Sequence, residues 1–111
     1  MTPLELAKRY MQVFYSGETI DELRSLFGDE FTFKGPFVEC HSADEYIASL
    51  KRDPPHACEH ILLHQFETES SACLIYQFSK PGVSTPMAQV FNTRDGKIFG
   101  IQLIFDGRVF E

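Results

Sequence analysis

The sequence predicts an α+β fold, and the order of two kinds of pattern supports this prediction. Residues 2–53 have apolar side chains at helical spacing, whereas residues 57–106 mostly have the alternation of strands. Helices followed by a run of strands are typical of α+β folds rather than of alternating α/β folds. A chain of 111 residues, 43% of them hydrophobic and 23% charged, is expected to form one globular domain over 1–111.

Three predicted helices begin with Ser or Thr followed three residues later by Glu, which is the capping-box pattern. The pairs are Thr2/Glu5, Thr19/Glu22 and Ser42/Glu45. The first helix is predicted to stop before Gly17, and the second to span Ile20–Phe27. The third is predicted to run from Ala43 to about Arg52, because Pro54-Pro55 cannot continue it.

Alternation predicts one short strand between the helices and four strands after them. These are Phe31–Phe33, Cys58–Glu67, Ala72–Ser79, Met87–Thr93 and Lys97–Phe105. The connections at Ser70-Ser71, from Pro81 to Pro86, and at Arg94-Asp95-Gly96 suit antiparallel hairpins.

Alternation also predicts what the two faces of the sheet carry. One face has large apolar rows, the first formed by Cys58, His60, Leu62, His64 and Phe66. The other face also has apolar residues, at Ile61, Leu63, Ile75, Val90 and Ile104. Because a sheet that is apolar on both faces needs a cover for the second, we expect self-association through it.

Three histidines recur every four residues, at His56, His60 and His64. On a helix they would share one face and could hold zinc. On a strand they would stand about 13 Å apart, too far to share one ion. We therefore predict a structural or pocket-lining role for them, and no metal.

The charge balance argues against two classes of partner. The formal net charge is -6, which disfavours nucleic acid and anionic membrane surfaces. The sequence has no phosphate-binding loop or dinucleotide-binding pattern, so we expect no cofactor. Three separated cysteines, no signal peptide and no apolar run of membrane-spanning length predict a cytoplasmic protein.

Several short motifs occur in a characteristic order. They are Arg9-Tyr10 seven residues before Gly17, Leu26–Phe33, Gly35-Pro36, Asp95–Ile98 and Ile104-Phe105-Asp106. Together they resemble the nuclear transport factor 2-like superfamily, in particular its SnoaL-like (polyketide cyclase-related) branch, from Leu4 to Asp106. The resemblance implies a cone, in which a strongly curved antiparallel sheet wraps around the N-terminal helices and encloses a pocket. It also implies a homodimer through the outer sheet face.

The expected pocket is apolar and rich in aromatic rings. The residues predicted to line it are Tyr10, Phe14, Phe33, Leu62, Phe66, Leu74, Tyr76, Phe78, Ile101, Leu103 and Phe105. A small hydrophobic molecule is the expected partner.

The resemblance also implies positions for catalytic groups. In the ketosteroid isomerase relatives a tyrosine of the first helix donates to an oxyanion, and Tyr10 has this position. Their two acids correspond to Gly35 and to Met87 or Ala88, so double-bond isomerisation by that apparatus is not expected. SnoaL-like cyclases use an aspartate at the end of the last strand, which here is Asp106.

Two further observations bear on catalysis. Strict alternation puts Asp106 on the face opposite Leu103, so it would reach the pocket only if the strand end twists or bulges. His60 and His64 are candidate general bases, because histidine titrates near neutrality.

Three functions remain open from the sequence. The first is a small-molecule-binding domain whose ligand is unassigned. The second is a cofactor-independent enzyme of the cyclase, isomerase or dehydratase type, acting α to a carbonyl through Asp106, His60, His64 and Tyr10. The third is an interaction or dimerisation module with a vestigial pocket.

Overall fold

The computed structural model describes residues 1–16 and 19–111, which form an α+β domain with one six-stranded sheet. The elements are α1 (Pro3–Tyr15), a first 3-10 helix (Ile20–Leu26), β1 (Phe27–Lys34), β2 (Glu39–Cys40), α2 (Ala43–Arg52), β3 (Glu59–Glu67), β4 (Ser71–Lys80), β5 (Val83–Arg94), β6 (Lys97–Ile104) and a second 3-10 helix (Gly107–Phe110). The strand order is β2-β1-β6-β5-β4-β3. Gly17, which the predicted first helix stops before, lies outside the described residues.

Helix α1 begins at the predicted capping box. The Thr2 hydroxyl accepts from the backbone N–H of Glu5 at 3.1 Å, and the Glu5 carboxylate accepts from the backbone N–H of Thr2 at 2.8 Å. The carboxylate of Glu67 on β3 adds a third bond, accepting from the backbone N–H of Leu4 at 2.9 Å. These contacts satisfy N–H groups that a helix start otherwise leaves unpaired.

The other two predicted helix starts behave differently from each other. Ser42 caps α2, accepting from the backbone N–H of Glu45 at 3.0 Å, while the Glu45 carboxylate accepts from His41 rather than from Ser42. Thr19 makes no side-chain cap bond, and the segment after it is a 3-10 helix that ends at Leu26. The predicted helix Ile20–Phe27 is therefore wrong at its end, because Phe27 pairs with β6 as the first residue of β1.

The sheet is mixed, so the prediction of an entirely antiparallel sheet is wrong. Strand β1 runs parallel to β6, because the chain leaves β1 through α2 and the β3–β5 meander before β6 returns beside it. The sheet is not strongly curled, which also corrects the predicted cone. The β5–β6 turn is as predicted, with positive φ at Asp95 (55°) and Gly96 (74°), as a type I′ turn requires.

The β4–β5 connection is shorter than predicted. Lys80 pairs directly with Val83, so the turn consists of Pro81 and Gly82, and Gly82 has the positive φ (84°) that favours glycine. Residues 83–86, predicted as part of the loop, therefore belong to β5.

A β-bulge in β3 reverses the predicted alternation of that strand. Leu62 pairs with Tyr76, but the next pair is His64 with Ile75, so Leu63 has no partner on β4. One extra residue moves every later side chain to the opposite face. The prediction that His60, Leu62, His64 and Phe66 share one face is therefore wrong.

The inner face of the sheet packs on α1 and α2, and the outer face is open. Exposed outer-face residues include Ile61 (67%), Phe66 (58%) and Ile104 (51%), and the bulged Leu63 is exposed on the same edge strand. Within the two described ranges, no helix has the length and apolar character needed to cross a bilayer.

Candidate functional site

A cavity of about 520 Å³ lies between the two α-helices and the inner face of the sheet. Its wall comes from α1, β1, the β1–β2 turn, α2, residues 53–58, and β4 to β6. The lining residues are Tyr10, Phe14, Tyr15, Phe33, Gly35, Pro36, Phe37, Val38, Tyr46, Ser49, Leu50, Asp53, Pro54, Pro55, His56, Cys58, Tyr76, Phe78, Lys80, Met87, Gln89, Leu103 and Phe105. Since exposed and buried residues both line it, the cavity leads from the core to the surface.

All four tyrosines of the chain line this cavity. The hydroxyls of Tyr10 and Tyr46 share a short hydrogen bond, and the Tyr76 hydroxyl donates to Oε1 of Gln89 at 2.8 Å. The Tyr15 ring packs edge-on against the ring of Tyr76, with 6.5 Å between the ring centroids. The cavity wall therefore carries two hydrogen-bonded pairs, Tyr10 with Tyr46 and Tyr76 with Gln89, and these four residues together with Tyr15 form the tyrosine network.

Burial keeps the phenols of this network neutral. Removal from water raises the pKa of Tyr10, Tyr15, Tyr46 and Tyr76 well above the ordinary value for tyrosine. Four phenols and a carboxamide carry more hydrogens than the bonds within the network use. The network therefore has donors left for an acceptor atom in the cavity.

The acidic and basic side chains of the lining lie toward the surface. Asp53, His56 and Lys80 are exposed, and Asp53 is the one carboxylate among the described lining residues. At Gly35, the position of an acid in the isomerase relatives, a Cβ would lie 3.2 Å from the ring of Phe33. An acidic side chain there would have to displace that ring.

The structure brings most of the predicted lining residues together. Those on the cavity wall are Tyr10, Phe14, Phe33, Tyr76, Phe78, Leu103 and Phe105. Leu74 and Ile101 lie in the core rather than on the wall. Leu62 (41% exposed) and Phe66 lie outside the cavity, Phe66 because the bulge at Leu63 turns it to the outer face.

Asp106 lies outside the cavity, at the start of the second 3-10 helix. Its carboxylate accepts from the backbone N–H of Arg108 at 3.0 Å and from the Arg108 guanidinium at 2.8 Å. These hydrogen bonds lower the pKa of Asp106 to about 2. The group is therefore an exposed, ionised cap and not a proton donor in a dry pocket.

The two candidate histidines lie on opposite faces of the sheet. His60 is half-buried behind the cavity wall, with its ring centroid 4.3 Å from that of Tyr15 and 5.8 Å from that of Tyr76. Burial lowers the pKa of His60, so its neutral form is favoured. His64 lies on the outer face beside Phe66, at 6.3 Å between ring centroids.

Sequence reasoning missed three polar members of the site. Tyr15 is on α1 and Tyr46 is on α2, and neither is among the predicted lining residues. Gln89 is 3% exposed, although it is polar. A glutamine at an inward position of alternating β5 was the available signal, because a buried amide needs hydrogen-bond partners.

Comparison with known proteins identifies the fold. No protein-family model and no curated protein matches the chain. Among solved structures, a protein of unknown function from Cytophaga hutchinsonii, described as NTF2-like (nuclear transport factor 2-like), has a TM-score of 0.84 at 20% identity over 100% of this chain and 96% of its own. An NTF2-like protein of unknown function from Burkholderia pseudomallei has a TM-score of 0.82 at 11% identity, covering 97% and 93%.

A protein described as an enzyme is also similar in structure. An LEH-like epoxide hydrolase from Mycobacterium tuberculosis has a TM-score of 0.79 at 14% identity, covering 94% of this chain and 82% of that one. At such identities the likeness concerns the fold alone. The chain has the fold of the NTF2-like superfamily.

Proposed function

We propose that this protein binds a small, largely apolar molecule that carries an oxygen acceptor. The observation behind the proposal is that all four tyrosines and Gln89 line one cavity as neutral hydrogen-bonding groups, four of them in the pairs Tyr10–Tyr46 and Tyr76–Gln89. Concave, mostly apolar sites with a few convergent polar groups are typical of small-molecule binding.

The two components of the wall have different roles in this proposal. Rings and aliphatic side chains such as Phe14, Phe33 and Leu103 remove apolar ligand surface from water, which is worth about 25 cal/mol per Å². The phenols and the carboxamide donate to a carbonyl, ether or hydroxyl oxygen. An ionic group would be disfavoured beside them, because the inner wall supplies no opposite charge.

Binding is favoured over acid/base catalysis by the placement of the candidate groups. The described wall has no buried carboxylate, Asp106 is ion-paired at the surface, and His60 and His64 lie off the wall. An acid/base enzyme needs its proton-transfer group within hydrogen-bond reach of the substrate. Tyr10 alone of the four predicted catalytic residues is on the wall.

The binding proposal is tested with a neutral fluorescent probe, N-phenyl-1-naphthylamine. We expect its emission to rise and saturate with protein. Leu50→Trp narrows the cavity from α2 and should weaken binding by about tenfold, whereas Ala48→Trp, exposed on the same helix and off the wall, should not. No saturable emission, or equal effects of the two variants, would refute binding in this cavity.

We also propose that a second copy of the chain covers the outer sheet face. Ile61, Phe66 and Ile104 are more than half exposed there, so in a monomer their apolar surface remains in contact with water. Exposed apolar patches of this kind are typical of protein–protein interfaces. Sedimentation velocity should give a dimer. Ile104→Glu should shift it to a monomer, while Gln12→Glu, an equal charge change on exposed α1, should leave it dimeric.

A further inference from the structure

A lysine that forms no ion pair with any carboxylate of residues 1–16 and 19–111 lies at the mouth of the cavity. Lys80, the last residue of β4, is exposed and belongs to the cavity lining. Its Nζ lies 5.2 Å from the centroid of the Phe110 ring. Phe110 in turn contacts Phe78 and Phe105, both of which line the cavity. The ammonium group is therefore held beside the aromatic edge of the opening.

Lys80 differs from the paired cations of the described residues, and it alone among the lysines and arginines lines the cavity. Across residues 1–16 and 19–111, ion pairs join Arg24 to Asp44, Lys51 to Asp21, Arg94 to Glu30 and Arg108 to Asp106. No carboxylate of those residues pairs with Lys80, although the chain has 16 acidic against 10 basic residues. A lone cation on the rim of an apolar cavity is available to a ligand.

We propose that the ligand is an amphipathic anion, with its apolar body in the cavity and its carboxylate or similar anionic group at Lys80. This inference rests on the proposed binding function and adds the class of ligand. The anionic end stays at the mouth because the tyrosine network offers neutral donors only, and a desolvated anion without a counter-charge is costly. At the mouth it keeps contact with water and gains the ammonium group.

Asp53 is the competing charge on the same rim, and it would favour a cationic ligand end. It is less suited to that role, because it directly follows Arg52 at the C-terminus of α2. The guanidinium of Arg52, in the last turn of α2, reduces the negative potential there, whereas Lys51 is already paired with Asp21. Lys80 is held against the Phe110 ring and pairs through its strand with Val83.

Two fluorescent probes with the same body test the proposal. N-phenyl-1-naphthylamine is neutral, and 8-anilino-1-naphthalenesulfonate adds one anionic group to the same ring system. We expect the wild type to bind the sulfonate more tightly. Lys80→Gln should weaken sulfonate binding by about three- to fivefold and leave the neutral probe unchanged, as one partly exposed charge contact predicts. Lys80→Glu should weaken it by about tenfold.

A control variant and two different negative results distinguish failure of this inference from failure of the proposed binding function. Lys8→Gln, an equal charge change on the exposed side of α1, should leave both probes unaffected. If neither probe binds the wild type, the cavity proposal itself fails. If both probes bind and Lys80→Gln changes the affinity for neither, Lys80 does not select the ligand and this inference is wrong. It is also wrong if Asp53→Asn strengthens binding of the sulfonate by a larger factor than Lys80→Gln weakens it.

Discussion

Replacing Tyr76 by Phe should destabilise the protein, because the hydroxyl that it loses satisfies a buried amide. That hydroxyl donates to Oε1 of Gln89 at 2.8 Å, and Gln89 is almost inaccessible to solvent. A buried acceptor left without its donor costs about 1–3 kcal/mol. The lower end of this range applies if a water molecule in the cavity takes the place of the phenol.

The double variant distinguishes this cause from a general packing loss. Gln89→Met alone leaves the phenol unpaired, whereas Tyr76→Phe with Gln89→Met removes both partners. The combined loss should therefore be smaller than the sum of the single losses by about 1 kcal/mol or more. The measurement is urea unfolding of the four proteins, at one protein concentration because self-association affects stability. Losses that add to within about 0.5 kcal/mol would refute the coupling.

Three further outcomes follow from other contacts. Glu67→Gln should lower the free energy of unfolding by about 0.5–1 kcal/mol, because the carboxylate that bonds to the N-terminus of α1 loses its charge; an unchanged urea midpoint would show that this bond contributes nothing. Asp106 should titrate near pH 2 by carbon NMR and return toward its ordinary pKa in Arg108→Gln, whereas a pKa near 4 in the wild type would contradict the hydrogen-bonding account. Burial lowers the pKa of His60, so its contribution to the free energy of unfolding is present above pH 6.5 and is lost as the pH falls through its folded-state pKa. His60→Gln should therefore reduce the loss of stability in acid. Identical acid unfolding curves for His60→Gln and the wild type would contradict this account.

Two of the three helix starts and the β5–β6 turn followed from local chemistry in the sequence. Thr2 and Ser42 form their cap bonds where the pattern predicts them, and Asp95-Gly96 adopts the predicted turn. The Thr19 start failed because the segment behind it has only seven residues before β1 begins and forms a 3-10 helix. Local patterns predict such elements when no tertiary contact competes.

The faces of the strands were less predictable. One unpaired residue at Leu63 reverses the side of His64 and Phe66, and nothing in the alternation of β3 marks that position. The parallel pairing of β1 with β6 joins segments about 70 residues apart, which single-sequence patterns do not encode. Such a pairing between distant segments forms only when the whole chain is folded.

The apolar wall of the site was predictable from the sequence, but its polar contacts were not. Aromatic residues at inward positions indicated the cavity wall, including Tyr10, Phe33 and Phe78. The network that joins Tyr10 to Tyr46 and Tyr76 to Gln89 requires two helices and two strands to meet, so it emerges only from the packed structure. The alternation that put Asp106 on the face opposite Leu103 agrees with its place outside the cavity, where its carboxylate accepts from Arg108.

The most direct measurement of the central claim uses the tyrosines themselves as reporters. In protein with ¹³C-labelled tyrosine rings and isoleucine methyls, all four tyrosines report on the cavity, and Ile61 and Ile104 report on the outer sheet face. Titration with N-phenyl-1-naphthylamine should shift the tyrosine signals in a saturable way and leave those of Ile61 and Ile104 in place. Shifts of the two isoleucines with unchanged tyrosines would locate binding on the outer face and contradict the account.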